Sequence, residues 1–181
     1  YSLVGIDVSG LELRCLSHYM AKFDGGSYGR NLLDGDIHTA NQKAAGLSTR
    51  DQAKTFIYGF LYGAGDAKTG SIIGKGAKEG KAIKKKFLAK TPALAKLREA
   101  VNTAVEDKGW IKGLDGRVIP VRYPHAALNT LLQSAGAIIC KRWYVEIVRA
   151  LQANNYTEED VAIVAFIHDE VQIKVRKSLE D

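Results

Sequence analysis

Apolar side chains form short unbroken runs near both ends of the chain. Residues 2–8 are apolar and β-branched up to Asp7, which predicts a buried strand that carries a carboxylate at its carboxyl end. Residues 161–167 are a second apolar run, followed by a tight turn at residues 168–170 and by alternating apolar and polar positions over residues 171–175. The two ends of the chain therefore predict strands of a small sheet.

Between these ends, apolar residues recur every three or four positions, which is typical of helices. One helix is predicted after Gly10, a second over residues 37–45, and a third from a cap at Ser48 or Thr49 to the glycines at 63–65. Further helices are predicted over residues 66–108, with a break at Thr91-Pro92, and from Pro124 to about residue 152. The chain is thus expected to be mostly helical.

Two segments between these helices predict loops. Residues 23–36 are polar and rich in glycine, which indicates an irregular connection. Asp115-Gly116 lies between two apolar runs, which predicts an exposed hairpin with a two-residue turn. The predicted fold class is α+β, with many helices and a small antiparallel sheet.

Composition limits the class of protein. The chain has 181 residues, 46% of them hydrophobic, and no apolar run approaches the ~18 residues needed to span a bilayer. Cys15 and Cys140 are isolated thiols, so we expect core packing rather than a disulfide or a zinc site. The first residue is Tyr1 and no signal segment is recognisable, so we expect a cytosolic protein, not bound to a membrane, and a piece of a longer chain.

The charge is unevenly distributed. The net charge is +6, but residues 68–122 carry 14 Lys and Arg against 5 Asp and Glu, so that the remaining residues sum to −3. A basic middle suits a phosphate backbone, and acidic ends suit divalent metals. The alternative for residues 75–86 is a solvated face, with Lys84, Lys85 and Lys86 on the outer sides of helices.

The helix that starts at Arg50 carries a distinctive face. Arg50, Lys54, Tyr58 and Tyr62 recur every four residues, so two cations and then two aromatic rings lie along one stripe. Such a face suits an anion followed by a flat ring. The alternative is a solvated cationic helix start followed by two half-buried tyrosines.

Two carboxylates lie at the ends of apolar strands. If the strands of Asp7 and Asp169 lie side by side, their charges converge, and a separation of ~4 Å costs about 4 kcal/mol at an effective dielectric near 20. A pair of Mg²⁺ ions would remove that cost, with the carbonyl of Val8 as a further ligand. The alternative is that Asp169 and Glu170 are turn residues and Asp7 caps a helix.

Three motifs taken together resemble a known family. Residues 7–14 (Asp-Val-Ser-Gly-Leu-Glu-Leu-Arg) resemble motif A of the A-family DNA polymerases, residues 50–63 resemble motif B, and residues 168–170 (His-Asp-Glu) resemble motif C. The amino-acid sequences of residues 54–65 and 124–136 are similar to those of the replicative polymerases of short-tailed bacteriophages. The resemblance covers essentially the whole chain, although Val8-Ser9-Gly10-Leu11 replaces the Tyr-Ser-Gln-Ile found in many relatives.

The resemblance implies a fragment of a right-hand polymerase with mostly helical fingers and a small antiparallel palm sheet. The implied palm covers residues 1–19 and 129–181, truncated before its end, and the fingers cover residues 20–128 with the motif B helix at about 49–63. Primer–template DNA and a deoxynucleoside triphosphate are the implied partners, two Mg²⁺ ions are the implied cofactors, and a processivity factor would bind outside these residues. If the chain is encoded by a phage, the activity belongs to the host-cell cytoplasm.

The resemblance also implies a role for individual residues. The implied catalytic residues are Asp7, Asp169, Glu170 and Lys54, and the implied metal ligands are Asp7, Val8 and Asp169. Nucleotide binding is implied for Ser9, Gly10, Leu11, Glu12, His38, Arg50, Lys54 and Tyr58, with Glu12 excluding a ribose 2′-hydroxyl. DNA binding is implied for Tyr62, His125, Asn129, Gln133 and His168.

Two other classes of protein remain open on the residues alone. A single-subunit RNA polymerase shares the palm carboxylates and a helix with Lys and Tyr, although Glu12 favours DNA synthesis. A non-catalytic nucleic-acid-binding module could keep the same shape. The retention of Asp7, Asp169, Arg50 and Lys54 argues against that module, because simple binding needs no metal pair.

Overall fold

The computed structural model describes residues 1–179, which form eight α-helices and five β-strands. The strands are β1 Ser2–Asp7, β2 Trp110–Lys112, β3 Val118–Pro120, β4 Val161–Ile167 and β5 Glu170–Val175. The helices are α1 Leu11–Asp24, α2 Ser27–Asp34, α3 Ile37–Ala45, α4 Arg50–Leu61, α5 Asp66–Ser71, α6 Ala77–Lys90, α7 Pro92–Lys108 and α8 Ala127–Ala153. Short 3₁₀ turns lie at Pro124–Ala126 and Lys177–Leu179. The predicted α+β class is confirmed.

The chain divides into two compact units. One consists of Tyr1–Glu12 together with the chain from Gln133 onward, and the other is Leu13–Leu132. The palm and fingers boundaries suggested above, at residues 19 and 128, stay predictions. No helix within residues 1–179 is both long enough and apolar enough to cross a membrane.

The first unit is built on a three-stranded antiparallel sheet with the strand order β1-β5-β4. The expectation that β1 and β4 lie side by side is therefore wrong, because β5 lies between them and pairs with both. Val171 and Ile173 on the central strand are buried. The outer strands are less covered: Leu3 on β1 is 67% exposed and Val164 on β4 is 54% exposed, so the prediction of a buried first strand is also wrong.

The second unit has an aromatic core between α4 and α6. The Phe56 and Phe87 rings meet edge to face at 5.1 Å, and Phe60 lies 5.7 Å from Phe87. This edge-to-face geometry favours the packing of aromatic rings beyond the area they bury. Thr49 begins α4 with a capping box, in which its hydroxyl accepts from the Gln52 backbone N–H and the Gln52 side chain accepts in return.

Helices α5 and α6 approach each other very closely at two glycines. A Cβ atom on Gly80 would stand 1.9 Å from the carbonyl oxygen of Asp66, and one on Gly70 would stand 1.9 Å from the carbonyl oxygen of Gly76. Only glycine permits this backbone separation. Lys84 of α6 adds a link, because its ammonium donates to the Ala64 carbonyl and pairs with Asp66 at 3.0 Å. The expectation that Lys84 lies on an outer face is wrong.

Most of residues 23–36, which were predicted to form an irregular connection, are helical: α1 continues to Asp24 and α2 covers Ser27–Asp34. The Asp24 carboxylate accepts from the backbone N–H groups of Gly26 at 2.8 Å and Tyr28 at 2.9 Å, and Tyr28 is buried. The capping carboxylate and one buried ring therefore hold a short helix despite its glycines. The burial of Tyr28 depends on packing against the rest of the unit, which the local composition does not reveal.

Two predicted boundaries also shift. Lys112 pairs with Val118, and Gly113 N–H donates to the Arg117 carbonyl at 2.8 Å, so the hairpin loop has three residues rather than two. Gly116, with φ at 85°, supplies the left-handed residue that such a loop requires. The helix expected from Pro124 begins with a 3₁₀ turn and becomes α-helical at Ala127.

Candidate functional site

The turn between β4 and β5 brings together the backbones of the residues that carry the predicted carboxylates of the first unit. Asp7 is the register partner of Glu170, and the backbone N–H of Val8 donates to the carbonyl of Asp169 at 3.0 Å. The end of β1 is therefore fastened to the turn that carries Asp169. The backbones of the two acidic strand ends are therefore adjacent, and β5 and its turn bring them there, while the convergence of their carboxylates stays a prediction.

The turn itself has an uncommon backbone. His168 has φ at 55°, in the left-handed region that non-glycine residues seldom adopt. The two-residue connection between Ile167 and Glu170 demands it, because these residues are paired across the strands. Such backbone strain is often found at functional sites.

Glu170 is held along the sheet surface by two residues that the sequence did not single out. Its carboxylate accepts a hydrogen bond from the side-chain amide of Gln172. A Cβ on Gly5 of the neighbouring strand would stand 3.0 Å from that amide nitrogen and 3.1 Å from a Glu170 carboxylate oxygen. Gly5 thus leaves room for the pair, and a glycine inside a strand was the available signal.

A buried thiol lies close to this acidic group. Burial raises the pKa of Cys140, and the negative charges of Asp169 and Glu12 raise it further. Leu11 is buried too, and its Cδ2 lies 3.1 Å from where a Cβ on Gly136 would stand. The side chains of Cys140 and Leu11 therefore serve the core, as expected for the thiol, while Ser9 and Gly10 form the turn before α1.

The donor set of this unit suits magnesium better than a metal that needs many protein ligands. Within residues 1–179, no three His, Cys, Asp or Glu side chains are grouped as a metal site. Asp7, Asp169 and the Val8 carbonyl offer only hard oxygen donors. Mg²⁺ accepts few protein ligands and keeps several waters, so these groups fit it.

In the second unit, an ion pair joins the start of α4 to the start of α3. Arg50 Nε lies 2.7 Å from Asp36 Oδ2, and the same carboxylate caps α3 by accepting from the backbone N–H groups of His38 and Thr39. Hydrogen bonds from Arg50 and Thr39 hold the pKa of Asp36 well below its usual range. Asp36 was missed as a site residue, although an acid two positions before His38 is typical of a helix cap.

His38 lies among the residues of the predicted cationic stripe. Its ring centroid is 6.3 Å from that of Tyr58. Burial lowers the pKa of His38, and the charges of Arg50 and Lys54 lower it further, against the opposing effect of Asp36. Its Nδ1 atom is buried and has no hydrogen-bond partner in the described part of the chain. The structure thus gathers Arg50, Lys54, His38 and Tyr58, and leaves an unsatisfied polar atom among them.

The remaining predicted DNA contacts are more dispersed. Tyr62 lies just after the last residue of α4 and is 49% exposed. His125 lies in the 3₁₀ turn before α8, where its ring stacks on Tyr123 at 5.5 Å with an interplanar angle of 12°. Asn129 and Gln133 follow one turn apart on α8. The expected stripe of three residues on one helix is therefore reduced to two.

Comparisons with known proteins identify both the fold and the family. The chain superposes on the solved structure titled "POL domain of Pol1 from M. smegmatis complex with DNA primer-template and dNTP" with a TM-score of 0.82 at 19% identity, covering 98% of this chain and 34% of that one. It therefore has the fold of part of a polymerase domain.

The family model "DNA polymerase family A" matches residues 1–181. The chain belongs to this family, which confirms the resemblance drawn from its motifs.

Individual relatives agree with this assignment. The chain is 56% identical to the DNA-directed DNA polymerases of Enterobacteria phage T3 and Escherichia phage T7, over 95% of its own length and 27% of theirs. It is 25% identical to DNA polymerase I of Streptococcus pneumoniae, over 97% of its length and 22% of that protein. The chain thus spans about a quarter of the length of these relatives.

Proposed function

We propose that this chain is the catalytic section of a longer DNA polymerase, which adds deoxynucleotides to a primer 3′-hydroxyl on a DNA template and releases pyrophosphate. The observation that carries the proposal is the junction of β1 with the β4–β5 turn, where the Val8–Asp169 hydrogen bond fixes Asp7 beside motif C. The family and its phage relatives support the choice of reaction. Because those relatives are phage enzymes, we place the activity in the cytoplasm of a bacterial host.

The carboxylate junction would serve the phosphoryl transfer. Asp7, Asp169 and the Val8 carbonyl would hold two Mg²⁺ ions, which when bound lower the pKa of the attacking hydroxyl and neutralise the charge on the leaving group. Glu170, held by Gln172, supports the same site. His168 would contact the primer end.

The cluster at the start of α4 would bind the triphosphate. Arg50 and Lys54 supply permanent positive charge, and Asp36 holds the Arg50 guanidinium through Nε. Burial and the charges of Arg50 and Lys54 lower the pKa of His38, which favours the neutral ring, a form that can donate one hydrogen bond without adding charge. Its buried Nδ1, which has no hydrogen-bond partner in the described part of the chain, supports the proposal that a further polar group binds here.

The ring of Tyr58 follows the cations along α4 and would stack on the incoming base or sugar. The backbone of Ser9, Gly10 and Leu11 and the side chain of Glu12 would line the sugar, where Glu12 excludes a 2′-hydroxyl. Contacts to the primer–template would come from Tyr62, His125, Asn129 and Gln133. Correct base pairs present hydrogen-bond acceptors at similar positions in the minor groove, and amide and imidazole groups can donate to them. A processivity factor that binds outside these residues stays a prediction.

Primer extension by the complete polymerase chain tests the proposal. Mg²⁺ and either dNTPs or rNTPs are supplied to the wild type, to Asp169→Asn and to the matched control Glu158→Gln, an exposed acid of the same unit. We expect the wild type and the control to extend with dNTPs, and Asp169→Asn to be slower by about a thousandfold, because a metal site provides several kcal/mol of transition-state stabilisation. Primer extension by Asp169→Asn at the wild-type rate would refute the assignment of the carboxylates as metal ligands. Efficient incorporation of rNTPs would indicate RNA synthesis.

A further inference from the structure

Helix α6 carries an exposed basic stripe that the proposed active site does not use. Its fourteen residues include six lysines and one acid. Lys78, Lys81 and Lys85 are exposed, and their spacing of three and four residues aligns them along one side of the helix. Gly80, Ile83 and Phe87 are buried, and at 100° per residue they lie on the opposite side. We call these three lysines the α6 stripe.

The stripe has the charge and the length to follow a nucleic-acid strand. No ion pair within residues 1–179 involves Lys78, Lys81 or Lys85, so none of the three is neutralised by a neighbouring acid there. Seven residues of helix rise about 10 Å, which matches about three stacked nucleotides at ~3.4 Å each. Three cations thus face a length of strand that carries about three phosphates.

The position of the stripe in its unit favours one part of the DNA. Arg50 and Lys54 lie in the first turns of α4, Tyr58 follows one turn later, and Tyr62 marks the end of the helix. A nucleotide with its triphosphate at the start of α4 therefore directs its base toward the end. The templating base and the unpaired template beyond it belong at that end.

Lys84 links the same end of α4 to α6. Its ammonium donates to the Ala64 carbonyl and pairs with Asp66, both just beyond the end of α4. Lys81 lies one helical turn before Lys84, and Lys85 follows it directly, so the exposed α6 stripe runs beside this link on the neighbouring side of α6. A strand that leaves the templating position can reach it within a few nucleotides.

We propose that the α6 stripe binds the unpaired template strand ahead of the templating base. This inference rests on the proposed function, because it uses the direction of the nucleotide along α4. Single-stranded DNA, rather than an acidic protein, is favoured by the place of the stripe beside the end of α4. The contact is electrostatic and independent of sequence.

The test compares primer–templates that differ only in the unpaired template, with overhangs of about 1 and about 12 nucleotides, a range that single-strand sites cover. Their affinity for the complete polymerase chain is measured by fluorescence anisotropy between about 0.1 and 1 M salt. The stripe variant replaces Lys78, Lys81 and Lys85 by Gln. The charge-matched control replaces three exposed lysines elsewhere in the same unit by Gln, namely Lys22, Lys43 and Lys96.

We expect the stripe variant to lose affinity only for the long overhang. Losing three single-strand phosphate contacts should make the salt slope shallower by about 2, which is up to about a hundredfold in affinity at 0.1 M salt and nothing near 1 M. The control should keep the long-overhang preference. Equal melting temperatures of the three proteins show that folding is unaffected.

Three outcomes would overturn the inference. If the stripe variant loses the same affinity for both overhangs, the stripe binds the duplex. If the control loses as much affinity as the stripe variant, the effect comes from the net charge of the protein and not from the position of the stripe. If the stripe variant binds DNA as tightly as the wild type does, the stripe does not bind DNA, and a protein partner becomes the alternative. If the wild type extends primers but its affinities do not differ from those of the stripe variant, only this inference is overturned. If the wild type does not extend primers, the proposed function is overturned.

Discussion

Replacing Gly80 by Ala tests how closely α5 and α6 must pack. Alanine in the interior of a helix normally gains up to about 1 kcal/mol over glycine. At this position, however, the added Cβ would stand 1.9 Å from the Asp66 carbonyl oxygen and 2.6 Å from the Gly70 nitrogen. The two effects have opposite signs, so the measured sign shows which one prevails.

The structure gives the size of the steric effect. Carbon and oxygen atoms normally stand ~3.3 Å apart or more, so α6 must move away from Asp66 by about 1.4 Å. A gap of about 0.5–1 Å already forfeits a quarter to a half of the dispersion energy of the atoms that line it. Overpacking of this kind costs up to about 3 kcal/mol. After the helix gain, we expect Gly80→Ala to lower the free energy of unfolding by about 2 kcal/mol.

The chain provides a matched control in Gly59 of α4. A Cβ there would meet only the Cβ of Ala64, at an ordinary 3.6 Å. We expect Gly59→Ala to raise stability by about 0.5–1 kcal/mol, because the backbone is restrained without a clash. The two substitutions add the same methyl group to helices of the same unit.

Thermal melting and hydrogen exchange measure the difference. For a domain of this size, a loss of about 2 kcal/mol lowers the melting temperature by about 4–8 °C. Exchange in peptides that cover α5 and α6 should accelerate about thirtyfold in Gly80→Ala, since each ~1.4 kcal/mol is tenfold. If both variants melt at or above the wild-type temperature, the close approach of the two helices does not constrain the fold and the reasoning is refuted.

Two further predictions concern buried polar groups. Burial raises the pKa of Tyr28 to about 12, and its hydroxyl accepts from the buried Asn41 amide at 3.2 Å; Tyr28→Phe should therefore cost about 1–3 kcal/mol in urea unfolding, while the exposed control Tyr156→Phe should change little. The second prediction is that stability falls as pH drops below 6.5, the ordinary pKa of histidine, because the pKa of His38 is lowered by burial and by the charges of Arg50 and Lys54. Between its lowered folded value and 6.5, the unfolded chain binds a proton that the folded chain does not. Denaturation of wild type and His38→Gln between about pH 5 and 8 should show a flatter profile for the variant; identical profiles would contradict it.

The sequence determined the features that depend on local pattern. Period-two and period-four spacing predicted the motif C hairpin, the helix at residues 37–45 and the α4 helix with its Thr49 cap. The spacing of four also placed Arg50, Lys54 and Tyr58 on one face, because residues that far apart are neighbours on any helix. Family membership followed from motifs whose order is itself a property of the sequence.

Tertiary structure decided what depends on partners distant in sequence. The backbones at Asp7 and Asp169 are adjacent because β5 pairs with both outer strands, an arrangement that neither apolar run encodes alone. Asp36 holds Arg50 across fourteen residues, and Lys84 leaves the solvated face to pair with Asp66 because two glycines let α5 and α6 touch. Such contacts are set by side chains that meet only after the helices pack, so no local pattern records them.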